Sequence, residues 1–328
     1  MSEFARIAGA AGLPETLRGG VVAVGNFDGV HRGHRAVLDE ALAIAGGRGL
    51  PALVLTFEPH PRSVFAPHVP LFRLTPAPAK ARLLAALGFD AVVEQPFDRA
   101  FAALEPEAFV RDVLVGGLGI AHAVTGYDFH YGRERGGGPA ELAAAGRAHG
   151  FGVSLAEAFC DEGGAVISST RIRGCLAEGD AAGAAGLLGY RYTVAATVAA
   201  GRRLGRTLGY PTANMALAPE TALRHGIYAV RLRRADGSLH DGVASFGRRP
   251  TVEDDGRPLL ETFLFDFSGD LYGETCTVSL FGFLRGEEKF DDLEALTAQM
   301  RIDEAEARAL LSDVRPLSAL DARICFAG

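Results

Sequence analysis

As far as Tyr190 the chain repeats one pattern, a short apolar run followed by a longer amphipathic stretch. The runs at 21–24 (V-V-A-V), 52–57 (A-L-V-L-T-F), 91–95, 123–126 and 153–156 read as strands, and Ala36–Ala45, Ala79–Ala86, Pro106–Val115 and Ala140–His149 carry helical spacing between them. Strands separated by helices of that length are joined by crossovers. They therefore pair in parallel and form an open α/β sheet, whose ligands bind at the carboxyl ends of the strands. After Tyr190 the texture changes. Tyr192–Ala199, Ile227–Arg233, Leu239–Phe246, Leu260–Phe267 and Thr275–Phe283 are β-rich and joined by turns such as A-D-G-S at 235–238, which predicts a small antiparallel barrel with a helical tail. In the tail, Asp291 with Glu294 and Asp303 with Glu306 predict the starts of two helical segments. The 328 residues thus divide into two expected domains, 1–188 and 189–328.

Composition narrows the chemistry. Only two lysines, Lys80 and Lys289, stand among 33 basic residues, and neither lies in the G-x-x-x-x-G-K-[ST] frame of a Walker loop, so nucleotide chemistry here must use other phosphate ligands. A net charge of -7 argues against a general nucleic-acid binder, which needs many cationic phosphate contacts. The cysteines Cys160, Cys175, Cys276 and Cys325 form no C-x-x-C pair and suggest neither a zinc site nor a disulfide framework. With Glu3 near the start, no signal-like apolar run and no long membrane-spanning stretch, a cytoplasmic protein without a membrane partner is expected.

The first chemical signal is G-N-F-D-G-V-H-R-G-H at 25–34, directly after the first strand and running into a helix. Gly25 and Gly29 permit a tight turn, Gly33 lets a phosphate approach the backbone, and a helix N-terminus supplies unpaired N–H groups and a positive dipole. His31 and His34 can point imidazole donors at one oligophosphate and stabilise charge that builds on an α-phosphate and a departing pyrophosphate. Ser168, Ser169 and Thr170 offer hydroxyls at a later helix start, and Arg173 adds a fork-shaped cation. Taken alone, S-S-T is also a plain helix cap. His60, in T-F-E-P-H-P at 56–61, is either a substrate-loop residue or a turn residue. Asp128, Phe129 and Tyr131 either orient and stack an aromatic ligand or form an aromatic strand end in the core.

In the second half, G-R-T-L-G-Y-P-T-A-N at 205–214 combines glycines for a phosphate-wrapping loop, Gly205 and Gly209, with Pro211 and with two neutral oxygens at Thr212 and Asn214. Such oxygens suit Mg²⁺, which shares its shell with phosphates and water. Glu261 and Phe263 alternate onto one strand face with Phe265, and a carboxylate beside aromatic rings is partly desolvated, as suits a general base.

These blocks resemble, in order, those of the bacterial bifunctional riboflavin kinase/FAD synthetases. G-N-F-D-G-V-H-R-G-H is similar to the H-x-G-H signature of the nucleotidylyltransferase superfamily, and it is followed by T-F-E-P-H-P, G-Y-D-F-H-Y-G-R-E-R-G-G at 126–137 and I-S-S-T-R-I-R at 167–173. The P-T-A-N block then resembles the riboflavin kinase signature, followed by H-G-I-Y-A-V at 225–230 and L-L-E-T-F-L-F-D-F at 259–267. The resemblance implies a Rossmann-like open parallel sheet of the nucleotidylyltransferase type, then a small antiparallel β-barrel with a C-terminal helix. It implies that the barrel makes FMN from riboflavin and MgATP, with Glu261 taking the proton of the riboflavin 5'-hydroxyl. The first domain then makes FAD and diphosphate from FMN and a second ATP. By the same resemblance Gly25, Phe27, Asp28, Gly29, Gly33, Ser168, Ser169, Thr170 and Arg173 would bind one ATP, and His60, Asp128 and Phe129 would bind FMN. Gly205, Gly209, Pro211, Thr212 and Asn214 would bind the other ATP, the last pair with Mg²⁺. Departures are Tyr131 where the family usually has Phe, His130 where it often has another residue, Ser245 where it commonly has Asn, and Phe263 where it frequently has His. Two rival readings are a nucleotidylyltransferase for another phosphorylated acceptor, disfavoured by the P-T-A-N block and Glu261, and a flavin carrier without catalysis, disfavoured by the intact histidines.

Overall fold

Val21–Val24 (β2) buries all four of its side chains, as befits a strand covered on both faces. In the computed structural model, which describes residues 4–199, 210–248 and 257–326, β2 is central in a wholly parallel sheet. The other strands are β1 (Ala5–Ala8), β3 (Ala52–Glu58), β4 (Ala91–Pro96), β5 (His122–Gly126) and β6 (Gly152–Ala156), in the order β1-β4-β3-β2-β5-β6. From β2 the chain steps outward to β3 and β4, then returns past β2 to build β5 and β6 on its other side. That reversal makes the carboxyl end of β2 the topological switch point, where open α/β sheets bind ligands.

Each expected strand of this sheet forms. The additional β1 pairs with β4 and buries only Ile7, which explains why so short a run carries little signal. The helix after β2 spans Arg32–Arg48 and seats Val37, Leu38, Ala41 and Ala45 on the sheet, and Gly49 ends it in the left-handed region at φ 64°. Helical spacing over 106–115 is met by Pro106–Ala108, which runs on as a π-type helix through Phe109–Leu118.

Among the described residues of the second unit, six strands close into an antiparallel barrel: β7 (Thr193–Ala199), β8 (Thr212–Ala216), β9 (Gly226–Arg233), β10 (Leu239–Arg248), β11 (Pro258–Leu264) and β12 (Thr275–Arg285). Along β11, Pro258, Leu260, Thr262 and Leu264 are buried while Leu259, Glu261 and Phe263 are half-buried, the alternation that puts one face inside a barrel. Outside it, Ala307 and Leu311 of a C-terminal helix pack with Ala229, Phe265, Phe281 and Cys325.

The tail corrects one expectation. A single helix runs from Leu293 to Asp313, and the residue that caps it is Asp292, not Asp291, accepting from the Ala295 N–H at 2.7 Å. Asp303 starts no second segment. It is 3% exposed in mid-helix, where its carboxylate takes both a 2.8 Å and a 2.7 Å hydrogen bond from Arg285 of β12 and a third, at 3.0 Å, from Gln299. The spacing D-x-x-E was read as a cap where it serves a helix-to-barrel clamp.

By contacts the chain divides into Met1–Ser169 and Thr170–Gly328, so the helices Ser169–Glu178 (from its second residue) and Ala181–Leu188 group with the barrel. Among the described residues no helix is long and apolar enough to cross a membrane.

Candidate active sites

The 25–34 loop leaves β2 at the switch point and is fastened on every side. Its first residue, Gly25, donates its N–H to Leu55 O of β3 at 3.1 Å. Phe27 and Val30 adopt φ values of 47° and 42°, a left-handed backbone that costs a non-glycine residue on the order of 1–3 kcal/mol and persists only where the surroundings enforce it. Asp28 enforces it from inside the fold. It is 3% exposed, and its carboxylate accepts from the N–H groups of Thr75 at 3.0 Å and Leu74 at 3.3 Å, while Gly29 N–H donates to the Thr75 hydroxyl at 2.8 Å. Ser169 closes the other side by donating its hydroxyl to Asp28 O at 2.7 Å.

At the end of the loop His31 caps the Arg32–Arg48 helix. Its Nδ1 accepts the His34 N–H at 3.2 Å, which leaves Nε2 as the protonated nitrogen of the neutral ring. The His31 and His34 rings stack with centroids 3.5 Å apart, and Phe27 meets His34 edge-on at 5.4 Å. Gly33 sits where a side chain would be crowded: a Cβ there would lie 3.1 Å from the His31 ring and 3.2 Å from Ile167 O. Burial pushes the His34 imidazole well below its ordinary value of 6.5, and the neighbouring His31 and Lys80 push the same way. Nδ1 of His34 is buried with no hydrogen-bond partner, a condition that costs about 1–3 kcal/mol and asks for an explanation in a native fold.

In the barrel the candidate residues are arranged by strand register. Asn214 of β8 lies opposite Glu261 of β11, which lies opposite Ser245 of β10, while Thr212 lies opposite Phe263. Directly opposed residues share a face with Cβ atoms roughly 4.5–5.5 Å apart. One row on one face therefore carries an amide, a carboxylate and a hydroxyl. Asn214 is 6% exposed and its amide donates to Thr212 O at 3.1 Å, and Tyr210 packs edge-on against Phe263 at 4.7 Å. Pro211 is exposed immediately before β8, and Gly205 and Gly209 lie outside the described residues. β8 itself was missed in the sequence, where P-T-A-N reads as part of a loop.

Comparison with known proteins agrees with this division. The family model for FAD synthetase matches residues 13–171 and that for riboflavin kinase matches residues 188–311. The bifunctional riboflavin kinase/FMN adenylyltransferase of Escherichia coli (strain K12) is 41% identical over 298 residues, covering 91% of this chain and 95% of that protein. The chain belongs to the bifunctional riboflavin kinase/FMN adenylyltransferase family. Its counterparts in Listeria monocytogenes and Bacillus subtilis are 40% and 35% identical, covering 89% and 90% of this chain and 92% and 93% of theirs. A solved structure described as a macrolide-efflux protein from Streptococcus pneumoniae superposes with a TM-score of 0.81 at 29% identity, covering 93% of this chain and 98% of that one.

As a member of this bifunctional family, the chain carries FMN adenylyltransferase in its first unit and riboflavin kinase in its barrel, and the remaining predicted residues can be placed accordingly. His60 caps the short helix Pro61–Phe65, its Nδ1 accepting from Arg62 N–H at 3.2 Å. Asp128 is exposed after β5, and the Phe129 ring is half-buried and stacked 5.7 Å from Tyr131. Tyr131 itself joins the core, 7% exposed, where burial pushes its hydroxyl up to about 12. Ser168 and Ser169 are half-buried at the end of the first unit, while Thr170 and Arg173 lie on the helix Ser169–Glu178. The sequence reading missed a buried charged cluster under the loop: Lys80, Glu58, Arg73 and the Thr56 hydroxyl. Arg73 grips Glu58 with two hydrogen bonds, at 3.1 and 2.9 Å, and Lys80 reaches Glu58 at 3.2 Å. Burial works to raise the Glu58 carboxyl, but Arg73 and Lys80 outweigh it and hold it below its usual value.

Proposed function

We propose that the adenylyltransferase reaction is carried by the His31–His34 pair and the helix N-terminus it caps. ATP lays its phosphates against the 25–34 loop, and the FMN phosphate attacks the α-phosphorus. One P–O bond forms and the bond to diphosphate breaks, so negative charge builds on the departing group. His31, with Nε2–H as donor, and the N–H groups of the first helical turn meet that charge without reorganising. Ser168, Ser169, Thr170 and Arg173 add phosphate ligands, and His60, Asp128 and Phe129 line the FMN side. Asp28 acts on the loop rather than on ATP, because its carboxylate is taken up by backbone N–H groups of Leu74 and Thr75. The observation that carries the reading is the stacked histidine pair at the switch point of the sheet.

In the barrel Glu261 takes the proton of the riboflavin 5'-hydroxyl as that oxygen attacks the γ-phosphorus of ATP and ADP leaves. Thr212 and Asn214 are neutral oxygen donors beside this carboxylate, a hard donor set that fits Mg²⁺ shared with nucleotide phosphates. When bound there, Mg²⁺ would neutralise phosphate charge. Gly205, Gly209 and Pro211 complete the residues assigned to binding this ATP. The boundary at 188–189 is supported by the start of the riboflavin kinase match at residue 188, while the contacts divide the chain earlier, after Ser169.

Incubation of the chain with riboflavin, ATP and Mg²⁺, followed by separation of flavins, tests both assignments. His34→Ala is expected to accumulate FMN without FAD. Glu261→Gln is expected to leave riboflavin unconverted, yet to make FAD from supplied FMN. Equal loss of both steps in either variant overturns the division of labour.

A further inference from the structure

The cluster beneath the adenylyltransferase loop contains a charge that the reaction scheme above does not use. Lys80, on the helix Ala77–Leu87, is 1% exposed. Its Nζ donates to the Thr56 hydroxyl at 2.7 Å, and that hydroxyl in turn donates to Asn26 O in the 25–34 loop at 3.2 Å. The chain of contacts runs from a buried ammonium through one hydroxyl to the backbone two residues before Asp28. A buried ammonium pays a desolvation cost of several kcal/mol, which its contacts have to offset. Glu58 does not depend on it, since Arg73 already holds both of its oxygens.

We propose that Lys80 is a positioning residue for AMP transfer: through Thr56 it fixes the backbone of the 25–34 loop, and it places a positive charge near His34. The proposal rests on the assignment of that reaction to His31 and His34. The titratable and charged groups around it are Asp28 and His34 of the 25–34 segment, Glu58 at the end of β3, and Arg73 in the segment before the helix, which lies 3.6 Å from Asp28. Burial depresses the Lys80 ammonium and Glu58 opposes that depression, while the Lys80 charge itself bears on His34. Lysine thus acts at one remove on both the shape and the charge of the phosphate site.

The test uses the full chain. Lys80→Met keeps most of the length of the side chain and removes the charge. FAD formation from FMN and ATP is expected to lose tenfold or more in kcat, with riboflavin phosphorylation by the same sample unchanged. NMR titration of ¹⁵N-labelled histidine is expected to show the His34 imidazole moving up toward its ordinary value, because a repelling cation has gone. Thr56→Val, which cuts the link to Asn26, should lower kcat in the same direction, whereas Thr56→Ser, which keeps the hydroxyl, should restore it. AMP transfer within twofold of the parent in Lys80→Met overturns the proposal, as does a loss of activity with the His34 titration unmoved, which would mark a purely structural lysine. His34→Ala, run in parallel, separates the two levels. If it keeps FAD synthesis, the histidine assignment falls and this proposal with it; if it loses FAD synthesis while Lys80→Met does not, only the role of Lys80 falls.

Discussion

In the first unit the proposed reacting groups sit on a loop held by segments 46 residues further along, where Leu74 and Thr75 bind Asp28. In the barrel, Asn214, Glu261 and Ser245 are aligned by the ladders between β8, β11 and β10. A loop has no repeating backbone bonds to fix it, so it borrows buried side chains; a strand row inherits its alignment from the sheet. The first site should therefore be sensitive to residues that touch no substrate, and the second should be sensitive mainly to the stability of its barrel.

The largest expected effect breaks the barrel's own support. Asp303→Ala removes the partner of a two-pronged Arg285 contact between the C-terminal helix and β12 and leaves the guanidinium largely buried without it. Loss of one member of such a pair costs about 3–5 kcal/mol. Urea unfolding of the full chain, followed by the riboflavin kinase activity that survives, should show the barrel transition at lower denaturant while AMP transfer persists to the parent's midpoint. Parallel loss of both activities would show that the two units are not supported separately.

Next is the loop. Asp28→Ala leaves the N–H groups of Leu74 and Thr75 without their carboxylate and frees the left-handed turn at Phe27 and Val30. Misplacement of reacting groups by about 1 Å can cost roughly 10²-fold in rate, so AMP transfer should fall by about that factor with riboflavin phosphorylation intact. Steady-state assay of each step checks it. A change below threefold would mean that the loop holds its shape unaided.

The same contrast governs acid sensitivity. His34 is depressed by burial, and His122 in the same unit is depressed chiefly by burial as well. Below about pH 6.5 the unfolded chain takes up protons at these rings that the folded unit refuses, so stability contributed above that pH is lost as pH falls toward their folded values. In the barrel the depressed groups that titrate in acid are carboxylates, such as Glu274, lowered first by its hydrogen bond from Arg234 against a burial that works to raise it, and their window opens only near the ordinary value of 4.5 and below. Thermal melts between pH 7.5 and pH 5 should therefore move the first unit's transition downward and leave the barrel's nearly in place. Replacing His34 with Gln should flatten part of that slope.

How much of this could be read from the residues follows from the same physics. The alternation of apolar runs and amphipathic stretches gave away the parallel sheet, because periodicity is local, and the family resemblance of H-x-G-H and P-T-A-N pointed to the two proposed sites. Lys80, Glu58 and Arg73 escaped, since a charged side chain is usually solvated and nothing local tells that these lie under a loop. Asp303 misled for the opposite reason: a helix cap and a buried clamp can share one spacing, and only the position of Arg285 on β12 decides between them.

The smallest effect sharpens the barrel side. Ser245 stands where the bacterial pattern resembled here commonly has asparagine, in register with Glu261 on one side and with Ile227 on the other. If the row is positioned by its ladders, lengthening this one side chain should alter a contact without moving the carboxylate. An added hydrogen bond contributes a net of about 0.5–1.5 kcal/mol, so Ser245→Asn should lower the KM for riboflavin by roughly fivefold, with kcat and AMP transfer unchanged. A fall in kcat instead would show the amide engaging Glu261 directly and displacing it. In that case the row depends on side-chain packing across the strands as well as on register, and the difference between the two sites narrows accordingly.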